Sequence, residues 1–362
     1  MKKVLKVIGL ILIVLVFVVG TLIGYLTIDE YKPADIEDLE MVGNEGEEIT
    51  LSQEHTIMTW NVGYGALGDN ADFFMDGGKK VYSSDKARVG ENLKAIAAKI
   101  TEVNPEILYL QETDRSASRS YFIDEFQTIR DDVSAPVAQG QAVFAPNFKV
   151  AFVPLPIPPI GKVYAGIGTM SAYKLSSAQR YALPCPFTWP LRTINLKRCL
   201  EIMRAPINGS DKELVLINLH LEAYDEGEGK IAQTNMLKEI MQGEVEKGNY
   251  VIVAGDFNQT FSNTDVSMYP CLEGMWESGL INEEEFGNSI EFYADNSVPT
   301  CRSLDRSLVD APEKDPQHFQ YYMLDGYIVS SNVEVKEVKT LDLGFKNSDH
   351  NPVVLNFVLK AE

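Results

Sequence analysis

A single uncharged, apolar run near the N-terminus constrains this chain more than any other feature of its sequence. The run extends from Val7 to Ile28 and follows three lysines among the first six residues. About 20 apolar residues suffice for a helix to cross a bilayer, and a basic flank before the helix predicts a cytoplasmic N-terminus. We therefore expect residues 1–28 to form a single-pass anchor in the cell membrane, with the rest of the chain extracellular. A cleaved signal peptide is the alternative, although residues 24–28 make a poor cleavage site.

The charge of the chain bears on its partners. The formal net charge is −20 at pH 7, and because three lysines precede the apolar run, the part after it is more acidic still. Binding to nucleic acid normally requires a basic surface that displaces counterions, so nucleic acid is a possible but not a favoured partner. Residues 29–54 are acidic and lack apolar periodicity, which predicts a tether between the membrane and a globular part.

Four cysteines follow the apolar run. Disulfides persist outside the cell, and proximity in sequence favours pairing Cys185 with Cys199 and Cys271 with Cys301. Buried free thiols are the alternative. No two of the cysteines have the CxxC spacing typical of zinc or thioredoxin-like sites.

From His55 onward, short apolar strands alternate with segments of helical periodicity. The pattern predicts one helix from Arg88 to Val103, ended by an Asn-Pro pair, and a second helix from about Lys230 to Glu246. Apolar strands lie before and after each helix, which is typical of an α/β protein built on mixed sheets. Since no interdomain linker stands out, we expect one domain over residues 55–362.

Polar residues suited to metal binding or catalysis recur where the predicted strands end. Strand ends on one rim of a helix-flanked sheet converge, so residues distant in sequence can line one cleft. Carboxylate and amide oxygens suit a hard divalent cation, and histidines suit phosphoryl chemistry. The residues are Asn61, Glu112, His220, Asp256, Asn258, Asp325, Asp349 and His350. The other two histidines, His55 and His318, lie in polar stretches, where we expect solvated side chains.

Six short segments carry a resemblance to a known family. In chain order they are TWNVG, LQETD, INLHL, AGDFN, MLDGYIVS and SDHNPVV. This combination resembles the endonuclease/exonuclease/phosphatase (DNase I-like) superfamily, which includes secreted DNases, abasic-site endonucleases, inositol polyphosphate phosphatases and neutral sphingomyelinases. The resemblance covers Thr56 to Leu359. It implies an α/β fold, a four-layer α/β/β/α sandwich of two mixed sheets, preceded here by one N-terminal transmembrane helix.

The resemblance also implies a divalent cation at the rim, usually Mg²⁺, with Mn²⁺ possible. Asn61, Glu112 and Asp349 would hold this ion or orient its ligands. A cation suits phosphoester hydrolysis because it neutralises the anionic substrate and stabilises the charge that develops at phosphorus.

The remaining five residues take catalytic roles by the same resemblance. His220 and Asn258 would contact phosphoryl oxygens, and Asp256 would orient or deprotonate the attacking water. Asp325 would pair with His350, fixing the tautomer of the ring and raising its pKa. Independently of the family, residues 256 and 258 are two apart, so their side chains can point the same way from a strand end.

These observations predict a metal-dependent hydrolase acting on phosphoester bonds outside the cell. The anchor, the acidic balance and the proline-rich apolar segment 152–161 favour a small or lipid head-group substrate. That segment is either an apolar lip that touches membrane or lipid, or a rigid edge loop packed on the domain. The glycine-rich loop 63–80 is likewise either a substrate loop or a surface loop. The alternatives are a surface endonuclease or exonuclease acting on DNA, and a catalytically silent binding protein on the same fold.

Overall fold

The computed structural model describes residues 1–225 and 227–361 of the chain. Position 226 and the last residue of the predicted domain 55–362 therefore lie outside the described residues. The α-helices of the described part are α1 (Lys2–Asp29), α2 (Lys86–Val103), α3 (Glu125–Asp132), α4 (Pro136–Gln139) and α5 (Glu228–Glu246). Short 3₁₀ helices span Gly63–Gly65, Phe74–Asp76, Leu191–Ile194 and Glu283–Phe286.

Eighteen strands follow α1 in the described residues. In chain order they are β1 (Ile36–Asp38), β2 (Val42–Gly43), β3 (Glu54–Asn61), β4 (Ile107–Asp114), β5 (Gln141–Val153), β6 (Gly161–Ser171), β7 (Ser177–Ala182), β8 (Cys199–Pro206), β9 (Glu213–His220), β10 (Tyr250–Asp256), β11 (Gln259–Phe261), β12 (Gly279–Ile281), β13 (Ile290–Tyr293), β14 (Cys301–Arg302), β15 (Tyr321–Tyr322), β16 (Asp325–Ser330), β17 (Val333–Thr340) and β18 (Val353–Leu359).

The strands build two seven-stranded mixed sheets. The first has the order β1-β7-β8-β9-β10-β16-β13 and the second β17-β18-β3-β4-β6-β5-β2, while β11-β12 and β14-β15 form two small ribbons. Within the large sheets, β9–β10 and β3–β4 are parallel, and the other pairs are antiparallel. Apolar side chains from both sheets, including Tyr109, Leu216 and Leu355, fill the space between them.

One long helix packs on the outer face of each sheet, and the short helices α3 and α4 add to the cover of the second sheet. Val89, Leu93, Ile96 and Ile100 of α2 pack on the second sheet. On the first sheet, α5 packs through its buried apolar side chains. These layers are the α/β/β/α sandwich predicted from the sequence, which is confirmed, and burial of the apolar helix faces is what holds the outer layers in place.

Each long covering helix connects two parallel neighbours, as a crossover connection requires. β3 leads through α2 to β4, and β9 leads through α5 to β10. The N-terminus of α2 is capped by Asp85, whose side chain accepts a hydrogen bond from the Arg88 amide, and the helix ends at Asn104 in the left-handed conformation (φ 56°). Two helical crossovers therefore bring the carboxyl ends of four strands to one rim.

Residues 29–54, predicted as a tether, follow the surface of the domain in the structure. β1 pairs with β7 and β2 pairs with β5, so the segment adds an edge strand to each large sheet. Ile49 is fully buried between the sheets, while most of the acidic side chains stay exposed. A few apolar residues in an acidic stretch are thus enough to fix the backbone on open sheet edges, where its hydrogen bonds are satisfied.

The N-terminal helix differs from the others in having almost no buried surface. α1 has a mean hydropathy of 3.1 over its most apolar 18 residues, and Leu26 is the one buried residue among its 28. It is long and apolar enough to cross a membrane, although a signal sequence has the same properties.

The four cysteines are free thiols. Cys199 and Cys301 are buried, whereas Cys185 and Cys271 are exposed. The pairings that proximity favours are not formed, and the alternative of free thiols is the one present.

Candidate active site

The ends of neighbouring strands bring the predicted residues to one rim of the sandwich. Strand β3 ends at Asn61, which lies opposite Gln111 of the parallel strand β4, and Glu112 is the next residue of β4. In the other sheet, Asp256 at the end of β10 lies opposite His220 of β9 and opposite Asp325 of β16. Strand register positions the residues within each sheet, and packing of the two sheets brings together residues separated by up to 264 positions in the sequence, from Asn61 to Asp325.

A cavity of about 790 Å³ opens at this rim. Six of the eight predicted residues line it, and they are Glu112, His220, Asp256, Asn258, Asp349 and His350. The other two lie directly behind them. Asn61 bonds to Glu112 and Asp256, and Asp325 bonds to His350.

Two carboxylates and one amide form the first group of this site. The Asn61 amide nitrogen lies 3.3 Å from Glu112 Oε1 and 3.0 Å from Asp256 Oδ2. Burial raises the pKa of Asp349 to about 7, with the neighbouring Glu112 carboxylate adding to the effect. Uncompensated negative charge and oxygen donors in one place are what a hard divalent cation neutralises, so Asn61, Glu112 and Asp349 fit such an ion.

Unusual backbone conformations orient the Glu112 carboxylate and make room for the Asp349 carboxylate. Glu112 has φ 51°, in the left-handed region, at an irregularity in the β4–β6 pairing between Leu110 and Thr113. A bulge of this kind re-aims a side chain, and a non-glycine residue in this region costs about 1 kcal/mol or more. Gly63 also has positive φ, and a Cβ there would lie 2.7 Å from Asp349 Oδ1. The glycine of TWNVG thus leaves room for the Asp349 carboxylate.

The second group is a hydrogen-bonded acid–imidazole pair. His350 Nδ1 lies 2.8 Å from Asp325 Oδ2, and His350 Nε2 lies 3.6 Å from Asp256 Oδ2. Burial alone would lower the pKa of His350, but the Asp325 and Asp256 carboxylates outweigh it and hold the pKa well above its ordinary value. The ring is therefore a cation that points from Asp325 toward Asp256.

His220 is neutral, in contrast to the cationic His350. Burial, together with the Arg198 guanidinium and the charged His350, keeps the pKa of His220 well below its ordinary value. Its Nε2 lies 3.4 Å from Asp256 Oδ2 and 4.0 Å from Glu112 Oε1. Within the described residues its buried Nδ1 has no hydrogen-bond partner. In a neutral imidazole one nitrogen carries a hydrogen, so His220 can donate a hydrogen bond from Nε2, which faces Asp256 and Glu112.

Asp256 and Asn258 are held by the sharp turn that follows β10. The Asn258 amide donates to Asp256 Oδ1 (2.9 Å), and the Asn258 side chain donates to the Leu221 carbonyl (2.9 Å) with its backbone at φ 50°. Gly255 precedes the pair, and a Cβ there would collide with the Leu219 carbonyl oxygen at 2.0 Å. Burial raises the pKa of Asp256 to about 6. This carboxyl group is thus poised to exchange a proton near neutral pH.

Two further groups of residues have the geometry of a cation site. Asp256, Asp325 and His350 each place one ligand atom within 4.8 Å of the others, and all three are buried. In that group the Asp325–His350 hydrogen bond already occupies His350 Nδ1, so only Nε2 of the ring is left for a ligand. Glu313, Asp315 and His318 form the other group, which is exposed.

The comparison with family models decides the affiliation of the chain. The model of the endonuclease/exonuclease/phosphatase family matches residues 58–350. The chain belongs to this family. Its members are phosphoester hydrolases that generally use divalent metal ions. The match contains all eight predicted residues and confirms the resemblance seen in the six short segments.

Solved structures of the endonuclease/exonuclease/phosphatase fold agree with this affiliation. A family protein from Beutenbergia cavernae aligns with a TM-score of 0.56 at 17% identity, over 85% of this chain and 72% of that one. The catalytic domain of human nocturnin with bound sulfate aligns with a TM-score of 0.51 at 18% identity, over 89% and 98% of the two chains. A family protein from Bacteroides thetaiotaomicron has a TM-score of 0.51 at 15% identity, over 86% and 99%. The comparison with curated proteins gave no significant match.

This member of the family has arginines at the site that the sequence analysis did not predict. Arg119 pairs with the buried Asp114 (2.8 Å), and its guanidinium lies over the Tyr64 ring, 3.8 Å from the centroid. Arg198 pairs with Glu222 (3.2 Å) and donates to the carbonyl of His220. Both arginines line the cavity. Each of these arginines lies close to a strand end. The sequence alone does not distinguish such an arginine at a site from one that is exposed to solvent.

A buried polar network beneath the site was also missed. Gln111, next to Glu112, donates to Asn218 (2.7 Å), which lies two residues before His220 in the other sheet. Asn218 and Thr169 both donate to Glu201, and burial raises the pKa of that carboxyl to about 8. The network joins the two sheets directly under the catalytic groups and thereby fixes their spacing.

Loops complete the walls of the cavity. Residues 73–77 of the glycine-rich loop line it, which places part of that loop beside the site. The Tyr224 hydroxyl donates to Asp76 Oδ1 (2.8 Å) and so links this loop to the segment after β9. On the far side, the proline-rich segment contributes Val153, Leu155, Pro156 and Ile160. One end of the cavity is therefore charged and the other apolar.

Proposed function

We propose that this protein is a membrane-anchored hydrolase of phosphoester bonds that requires a divalent cation, Mg²⁺ or alternatively Mn²⁺. Its substrate would be a phosphodiester or phosphomonoester with a small or lipid head group. The observation that carries the proposal is the convergence, at one cavity, of a carboxylate group suited to a cation and an Asp–His group suited to proton transfer. Packing alone does not require these side chains, which argues against a silent binding protein.

Three residues would hold the cation. Glu112 and Asp349 supply negatively charged oxygens, and Asn61 orients Glu112 through its amide. When bound, a divalent cation neutralises charge on a non-bridging phosphoryl oxygen and on the developing transition state. These residues bring the oxygens together at an energetic cost that a cation offsets, as the raised pKa of Asp349 indicates.

The remaining residues would carry out the displacement at phosphorus. Asp256 accepts a proton from the attacking water as the water oxygen forms its bond to phosphorus, and the bond to the leaving alcohol breaks on the opposite side. The leaving alkoxide takes up a proton from solvent water, and Asp256 releases the proton that it accepted to solvent. His350, kept cationic by Asp325, and the neutral His220 bind phosphoryl oxygens together with Asn258. Two histidines of opposite charge state at one site are the arrangement expected when one stabilises charge and the other donates a neutral hydrogen bond.

Residues 1–28 would be the anchor and residues 55–362 the catalytic domain, located outside the cell. The three lysines before the apolar run support this orientation, because positive flanking charge stays on the cytoplasmic side. An uncleaved α1 also has specific packing partners on the domain, since Leu22 and Leu26 lie in an apolar cluster with Phe148 and Val153.

The experiment is hydrolysis of bis(4-nitrophenyl) phosphate by the full chain in detergent micelles. We expect turnover with Mg²⁺, loss of turnover with a chelator, and recovery on readdition of Mg²⁺. Glu112→Gln should raise the Mg²⁺ concentration needed for half-maximal activity roughly 10-fold to 100-fold, because one charged ligand is lost. Calorimetric titration with Mg²⁺ measures the same loss without substrate.

The matched control is Glu313→Gln in the exposed group of Glu313, Asp315 and His318. This variant should bind Mg²⁺ at the site and turn over substrate as the wild type does. Turnover that is insensitive to the chelator, or absent with every divalent cation, would overturn the proposal.

A further inference from the structure

The end of the membrane helix is packed against the catalytic domain. Leu22 and Leu26 join an apolar cluster with Phe148, Val150 and Val153 of β5, and Leu26 is only 6% exposed. The Trp189 indole also donates to Thr27 Oγ1 (3.0 Å). The last two turns of α1 are therefore part of the domain surface.

Polar contacts just beyond these turns fix the angle of the helix. Asp29 accepts a hydrogen bond from the Ala151 amide (3.0 Å). Glu30 pairs with Arg192 (3.0 Å) and Lys197 (3.5 Å), and its side chain is only 2% exposed. Separating this buried carboxylate from its two cations would be strongly destabilising, so the ion pairs hold the end of α1 to the domain. The domain consequently cannot swing freely on its anchor.

Helix geometry then sets the depth of the domain relative to the membrane. The uncharged run ends at Ile28, and Asp29 is the first charged residue after it, so the polar boundary of the bilayer lies near Asp29. Leu22 lies seven residues earlier, about 10 Å below that boundary at 1.5 Å per residue. Domain surface that contacts Leu22, Leu26 and Thr27 must therefore lie at the depth of the lipid interface.

The domain presents exposed apolar side chains next to these contacts. They come from the proline-rich segment and from the segment around the 3₁₀ helix Leu191–Ile194, and we call them the membrane rim: Phe152, Ile157, Trp189 and Leu191. Their exposed fractions are 39%, 89%, 56% and 59%. Large apolar groups exposed this strongly in one place mark an interaction surface, and tryptophan is typical of the lipid interface.

Basic residues lie where α1 joins the domain although the chain is strongly acidic. Lys149 and Lys162 line a second cavity together with residues 28–32, and Arg192 and Lys197 contact Glu30. Cations at the edge of an apolar surface favour a membrane with anionic lipid.

The apolar end of the catalytic cavity continues into this region. Phe148 and Val153 belong both to the cluster around Leu26 and to the cavity wall. Leu155 and Ile160, on either side of the rim residue Ile157, also line the cavity, as do Phe187 and Ile194 near Trp189. An apolar path thus leads from the lipid interface to His350 and Glu112.

We propose that the substrate is a membrane lipid that carries a phosphoester, which enters the cavity from the leaflet across the membrane rim. This inference rests on the proposed function and adds the substrate class and the direction of access. The phosphoester reaches the charged end while the hydrocarbon stays on the apolar wall. Water attacks phosphorus, the ester P–O bond breaks, and the water-soluble and lipid products separate.

The test uses the full chain reconstituted into vesicles of phosphatidylcholine and phosphatidylglycerol, with sphingomyelin and lysophosphatidylcholine added in separate arms. Release of water-soluble phosphate product is measured beside hydrolysis of bis(4-nitrophenyl) phosphate in the same vesicles. We expect the double variant Ile157→Asp and Leu191→Asp to lower lipid turnover at least about 10-fold, because charge on the rim opposes insertion. Turnover of the soluble diester should stay within about twofold, since neither side chain lines the cavity.

The matched control is Leu280→Asp in β12, a leucine of similar exposure (66%) away from the rim. It should leave both activities unchanged. Hydrolysis of the soluble diester without hydrolysis of any vesicle lipid would overturn the lipid proposal and leave the proposed function standing, and so would faster cleavage of plasmid DNA than of every lipid. Absence of both activities would overturn the proposed function itself.

A second readout does not depend on activity. Brominated phosphatidylcholine quenches only tryptophans at membrane depth, and Trp60 is buried in the domain. We expect quenching in the wild type that is largely lost in Trp189→Phe. Equal quenching in both proteins, or none in either, would place the rim away from the bilayer and overturn the proposal.

Discussion

The two ends of the catalytic cavity are built in opposite ways. At the charged end, buried side chains lie near strand ends and contact one another, as in the 2.8 Å contact between His350 and Asp325. At the membrane end, loops present apolar side chains to solvent, as Ile157 does with 89% of its surface exposed. The properties of the first end come from charged groups that are removed from water. Those of the second end come from apolar side chains that are exposed to water.

This difference shows which changes each end should tolerate. A buried charged group depends on its partners, so its loss affects chemistry and the protonation of its neighbours. An exposed apolar group depends on what it meets outside the protein, so its loss should matter only when a membrane is present. The predictions below test this division.

The largest effect is expected from removing a histidine at the charged end. His350→Ala and His220→Ala should each lower kcat for bis(4-nitrophenyl) phosphate roughly 100-fold to 1000-fold, because each removes a preorganised contact to the phosphoryl group. Steady-state kinetics in detergent micelles measure the loss, and circular dichroism verifies folding. His318→Ala is the control, since His318 is exposed and pairs with Asp315 (2.9 Å) as His350 pairs with Asp325. Near-normal turnover in His350→Ala would remove this ring from the chemistry.

Asp325→Asn should have the next largest effect. Asp325 raises the pKa of His350, so its neutralisation lets the ring lose its proton at a lower pH. If the cationic ring is the active form, the alkaline limb of the kcat profile shifts to lower pH, and kcat falls roughly 10-fold to 100-fold. The measurement is a pH profile of turnover on the soluble diester. Asp315→Asn, which changes the equivalent partner of His318, should leave the profile in place, and an unshifted limb in Asp325→Asn would contradict the assigned pairing.

Glu201→Gln should change stability and its pH dependence. The folded protein holds the Glu201 carboxyl protonated up to a pKa of about 8, whereas the unfolded chain ionises it near its ordinary value of 4.5. The folded state therefore binds more protons between these values, and the free energy of unfolding falls as pH rises through this window. The amide removes this titration, so the stability of the variant relative to wild type should increase from pH 4.5 to pH 8. Thermal unfolding in micelles measures it, with the exposed Glu337→Gln as control. A constant difference at all pH values would contradict the buried neutral carboxyl.

The sequence was sufficient to predict the features that depend on local periodicity. The predicted helices Arg88–Val103 and Lys230–Glu246 begin within two residues of the observed Lys86 and Glu228. The convergence of the eight residues followed from strand ends on one rim. Their roles stay predictions, because geometry alone does not measure chemistry.

Features that depend on tertiary partners could not be predicted. The expectation that His55 is solvated was wrong, because Tyr173 and the Thr50 carbonyl cover it and leave it 2% exposed. The expectation for His318 was right. Arg198 and Glu201 were missed because the sequence does not distinguish an ionisable residue that is buried from one that is solvated. Only the fold supplies the partners that permit burial. The edge strands in residues 29–54 were missed for the related reason that the open sheet edges they join belong to distant segments.

The smallest effect is expected where loops meet above the cavity. Tyr224→Phe removes the hydrogen bond to Asp76, which links the loop before α2 to the segment after β9. A single hydrogen bond contributes about 1 kcal/mol, so KM for the soluble diester should rise roughly twofold to fivefold while kcat stays within about twofold. Tyr181→Phe, which removes a hydroxyl bonded to Gln179 within β7, is the control and should change neither value. A large fall in kcat would mean that the loop contact is needed for the chemistry at the charged end. The two ends of the cavity would then not act independently of each other.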